Sequence, residues 1–160
     1  MKNRKKLFND ERAIELPINI VVMLVVGMVA LAALIAIIPP PTKNMSVNID
    51  EAGIQGNSLS SGNTIIVDAV TARNPLIVMV KITATDPDGN PVRNANAVLR
   101  GLGGVATNTT DINGETLLAT TTAQLQMGAN QNEGTMDLTI TANGFYDYEK
   151  KNSVMIIKTK

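Results

Sequence analysis

The chain has 160 residues, enough for one domain with its own core plus an appendage. It contains no Cys, His or Trp, which removes disulfides, thiol nucleophiles, zinc-finger ligand sets and imidazole general bases. The zero net charge hides an uneven spread: Lys2, Arg4, Lys5, Lys6 and Arg12 outnumber Asp10 and Glu11 in the first 13 residues, while from Thr42 onward nine basic side chains meet eleven acidic ones. No basic stripe with interleaved aromatics occurs, so no nucleic-acid partner is expected.

After the basic leader (1–13), residues 18–38 form an uncharged run whose one polar side chain is Asn19. As a helix, at about 1.5 Å per residue, this run spans roughly 30 Å, the thickness of a bilayer's hydrocarbon core. A secretory signal core would be shorter, and no A-x-A cleavage site follows. Pro39, Pro40 and Pro41 end the helix, which is expected over 14–38. The Lys/Arg cluster ahead of it predicts a cytoplasmic N-terminus and an exported C-terminal part. Gly27, Ala30, Ala32 and Ala36 place small residues on the helix surface, with Ala32 and Ala36 as a small-xxx-small pair that lets backbones approach. Glu15 stands where membrane begins, a place where an ionisable group calls for a partner.

The stretch "ERAIELPINIVVMLVVGMVALAALIAI" behind a short basic leader resembles the class III signal segment of archaeal type IV pilin-like proteins, most closely at "IELPIN". The resemblance implies that a prepilin peptidase cuts on the cytoplasmic side, and that the retained helix, inserted first in membrane lipid, is assembled by pilus machinery into a filament core of like copies. With Glu11 as first mature residue, the family glutamate falls on Glu15. The residue before such a cut is normally Gly or Ala, and here it is Asp10; a cut between Ala13 and Ile14 supplies the small residue but brings Glu15 close to the new terminus. Both positions stay open, as does an uncleaved single-pass anchor similar to the stator proteins of the archaeal rotary filament.

Residues 39–63 read as a Pro/Asn/Ser/Gly linker, with "MSVNID" a possible short strand. From 64 to 160 the pattern is of strands: "TIIVDAV", "PLIVMVKITATD", "NAVLRG", "GVATNTT", "ETLLATT", "TMDLTITA" and "SVMIIKT". Val80, Ile82 and Ala84 alternate with Lys81, Thr83 and Thr85, and Met136, Leu138 and Ile140 share one face. Polar turns, "DPDGNP" and "DING" above all, separate the strands. The expected architecture is a long hydrophobic helix followed by an all-β antiparallel sandwich.

"D-x-x-G-x-P-V-x-x-A" (86–95), "T-D-x-N-G" (110–114) and "A-x-G-F" (142–145) resemble the Ig-like or carboxypeptidase-regulatory-like sandwiches of surface proteins, modules that bind, space or stiffen. Asp86, Asp88 and Asn90 alternate like the start of a calcium loop, but such a loop needs Gly sixth and Glu twelfth, whereas Gly89 is fourth and Ala97 stands twelfth, so they are read as turn chemistry, as are Asp111 and Asn113. The sequons at Asn44 and Asn108 are candidate glycosylation sites. Of Phe145, Tyr146 and Tyr148, one or two are expected in the core. Catalytic residues, metal ligands and cofactors are expected to be absent: a hydroxyl nucleophile finds no imidazole base, Lys81 and Lys150 sit in solvated strand contexts, and "GLGG" lies between strands.

Overall fold

The structure, a computed structural model, describes residues 12–38, 41–120, 127–128 and 130–159, with side chains from Ile18 onward. It divides into two compact units, Met1–Pro40 and Pro41–Lys160.

The first unit contains helix α1 (Arg12–Ile37), which stops where the three prolines begin. Every described side chain from Ile18 to Ile38 is exposed. Within α1 the span Ile18–Ile37 is long and apolar enough to cross a membrane.

Among its described residues, the second unit is a two-layer sandwich of nine strands and one 3-10 turn. Strands β1 (Ser46–Ile54), β2 (Ser60–Ser61), β4 (Val78–Thr85) and β7 (Glu115–Ala119) form one sheet in the order β2-β1-β4-β7. The other sheet contains β3 (Thr64–Asp68), β5 (Asn96–Gly101), β6 (Gly104–Thr109), β8 (Glu133–Thr141) and β9 (Tyr148–Thr159), in the order β3-β9-β8-β5-β6. This is the immunoglobulin arrangement read directly from connectivity: β4 and β7 pair in one sheet as B and E do, and β5, β8 and β9 pair in the other as C, F and G do.

The core lies between the sheets. In β4, Val78, Val80, Ile82 and Ala84 are buried and their alternates face outward, as the period of two requires. Met136, Leu138 and Ile140 of β8 face them, with Leu99, Leu118 and Ile156 filling the layer. Among the described residues this core falls within 45–156.

Two expectations are corrected. The sheets are mixed, not purely antiparallel: β3 runs parallel to β9, from Thr64↔Met155 to Asp68↔Thr159. A parallel neighbour arises from a crossover, not from a hairpin. Here the chain leaves β1, changes sheet through residues 55–63 and lands beside a strand some ninety positions later, so no local turn signal announces the pairing. The segment 39–63 is also not simply a linker, because β1 is a nine-residue strand paired along β4. A register shift between Ile49 and Glu51 interrupts its alternation, which conceals the pattern in the sequence. Beyond the bulge, Gly53 is covered by the Leu59 side chain, 2.9 Å from where a Cβ would stand.

Candidate functional site

Of the residues singled out on the helix, Asp10 and Glu11 lie outside the described residues. Ala13, Ile14 and Glu15 fall in the first turns of α1, and their side chains lie outside the description. Gly27, Ala30, Ala32 and Ala36 are all exposed, and a Cβ built on Gly27 meets nothing within 4 Å. The described part of the helix is therefore an exposed apolar surface.

At one end of the sandwich, two loops meet Lys43, one carrying Asp86 and Asp88 and the other Gly144 and Tyr146. Its N–H donates to the Gly144 carbonyl (2.9 Å), and its own carbonyl accepts from the Tyr146 N–H (2.9 Å). The Lys43 ammonium stands 3.6 Å from Asp86 and 3.5 Å from Asp88. Asp86 is committed to its turn: Oδ1 accepts the N–H groups of Asp88 (2.9 Å) and Asn90 (2.8 Å), and Oδ2 accepts the Asn90 amide (3.1 Å). Those hydrogen bonds, the Asn90 side chain's first, hold its carboxyl below the usual value of 3.8. Asp111 does the same for "DING", accepting from the N–H groups of Asn113 and Glu115 (both 2.9 Å). The Glu115 N–H is the chief cause of its lowered pKa. Both turns are therefore built as their sequences propose.

Gly114 must be glycine. Its φ is +75°, and a Cβ there would collide with the Ala84 carbonyl oxygen. The two loops are joined through Thr110, whose buried hydroxyl donates to the Val92 carbonyl (2.7 Å) and accepts from the Ala95 N–H (2.9 Å). Phe145 and Tyr148 pack against the core from this end, while Tyr146 remains exposed.

The two sequons differ in presentation. Asn44 is exposed just before β1, and among the described residues no hydrogen bond engages its side chain. Asn108 lies in β6 with its amide donating to the Leu117 carbonyl (2.9 Å), and the third residue of its sequon is the buried Thr110. That amide covers the edge of β7 next to it.

The opposite end carries a feature that sequence patterning did not reveal, a cavity of about 590 Å³ lined by Ala69, Ala72 and Arg73, by Met127, Gly128 and Asn132, and by Lys158 and Thr159. Its lining is assembled from three separate segments, so only the strand register brings it together.

No protein-family model matches the chain. No curated protein matches it either. Among solved structures, it is similar to a bacterial immunoglobulin-like domain from the M. primoryensis ice-binding adhesin, with 16% identity and a TM-score of 0.37 over 75% of this chain and 99% of that one.

Proposed function

We propose that this chain is a non-catalytic structural subunit of an archaeal type IV pilus-like surface filament. The observation that carries the reading is the unpartnered apolar surface of α1: every described residue from Ile18 to Ile38 is exposed, and the sandwich core is complete without them. Such a surface needs cover that its own fold does not supply. Lipid provides it first; copies of the same helix replace lipid on assembly, with Gly27, Ala30, Ala32 and Ala36 permitting close approach. The prepilin peptidase and the pilus assembly machinery are the partners in that transfer, and the sandwich forms the exposed sheath. After cleavage before Glu11, the Glu15 carboxylate pairs with the new amine of a neighbouring copy.

The test is filament yield on shearing cells that carry Glu15→Ala. The reading expects assembly to be blocked while the protein still enters the membrane; normal filaments would remove Glu15 from the mechanism. A second reading is favoured by one observation, the Asp10 at the position before the cut, where the resembling family has Gly or Ala. In it the leader stays, and a single-pass anchor presents the sandwich to a cell-wall layer.

A further inference from the structure

We propose that the cavity at the end of the sandwich opposite Lys43 binds a carboxylate-bearing sugar ring of the hexuronic-acid type. This goes beyond the filament reading and applies equally to a polymerised or an anchored chain.

The cavity's walls divide by chemistry. Ala72 and Met127, both buried, and Ala69 give an apolar surface. Arg73 and Lys158 bring positive charge, and Asn132 and Thr159 bring an amide and a hydroxyl. A uronic acid has the matching pattern: a ring with C–H faces, one carboxylate and several hydroxyls. At about 590 Å³ the space falls inside the range of small-ligand pockets, about 300–1,000 Å³.

Arg73 ends the 3-10 turn Thr71–Arg73, and among the described residues no ion pair engages its guanidinium. Its planar donors suit bidentate contact with a carboxylate. Asp68, at the end of β3, is already committed: it accepts from the N–H groups of Val70 (2.9 Å) and Thr71 (2.8 Å) and from the Thr71 hydroxyl (2.5 Å). These bonds fix the turn that carries Arg73. The pairing Asp68↔Thr159 and the Lys158 N–H on the Asn132 carbonyl (2.7 Å) hold the remaining walls. An extended peptide would be met along a strand edge by added backbone hydrogen bonds. Here the groups converge on a concavity at strand ends, which suits a compact ligand.

The test is calorimetric titration of the full chain in detergent micelles with glucuronate, glucose, acetate and a Glu-rich peptide. Glucuronate should bind saturably, with glucose and acetate at least about tenfold weaker; Arg73→Ala should lose about tenfold or more and Arg73→Lys less, with both variants melting like the parent. Absence of saturable glucuronate binding, or no effect of Arg73→Ala, overturns the proposal. Acetate matching glucuronate would reduce the site to general charge attraction, and tighter binding of the peptide would make the partner a protein. Filament formation is scored separately, so a failure here leaves the proposed filament role standing.

Discussion

Thr110 and Thr116 are both buried hydroxyls, and their surroundings give them opposite expectations. Thr110 serves two backbone groups, so Thr110→Val leaves the Ala95 N–H without its acceptor; a loss of about 1–3 kcal/mol in urea unfolding is expected. Among the described residues, the buried Thr116 hydroxyl has no hydrogen-bond partner. Thr116→Val keeps the shape, removes an unsatisfied group and should be neutral or stabilising. Equal losses from both would contradict this assignment.

The turn carboxylates set the acid response. Asp68, Asp86 and Asp111 all titrate below 3.8 in the folded chain, chiefly through hydrogen bonds from Thr71, the Asn90 side chain and the Glu115 N–H respectively. A lowered folded value means that the unfolded chain takes up protons first as pH falls. Their contribution is therefore complete above 3.8 and is lost as pH drops through the folded values. Unfolding followed from about pH 5 to pH 2 should show a falling limb. Asp86→Asn, which keeps an oxygen acceptor but no titration, should flatten that limb.

At the scale of elements, α1 was legible from composition alone, because an uncharged run of that length has few other physical uses. Strands β4 and β8 were legible from strict alternation, and their inward faces are the buried ones. β1 was harder to read: its bulge breaks the period, and its Asn, Asp and Gly resemble loop chemistry. The β3–β9 pairing and the Arg73 cavity lay beyond sequence reading, since both depend on contacts between residues far apart in the chain. Helix and sandwich are also separable by mutation. Val29→Lys places an ammonium near the middle of the apolar span, at a cost of about 2.5–3.5 kcal/mol for insertion. The variant should shift out of the membrane fraction while the sandwich keeps its β circular dichroism, because the described core residues all lie within 45–156. Retention in the membrane at parent level would contradict the spanning role given to the helix.

On the scale of the whole molecule, the chain joins two units with opposite needs. The sandwich buries a hydrophobic core between its two sheets. The described side chains of the helix are exposed and apolar, and in the proposed reading lipid or like helices would cover them. The proposed filament would satisfy both needs at once, with helices buried together and sandwiches outside. In the proposed filament, proteolytic release of the leader would be the step that commits the chain to assembly, so the chemistry of the N-terminus tests the account most directly. The measurement is intact mass with N-terminal sequencing of the protein sheared from its native cells. The account predicts a new terminus at Glu11 or Ile14 in a polymeric, sheared fraction. A chain that begins near Met1 and stays with the membranes would contradict it.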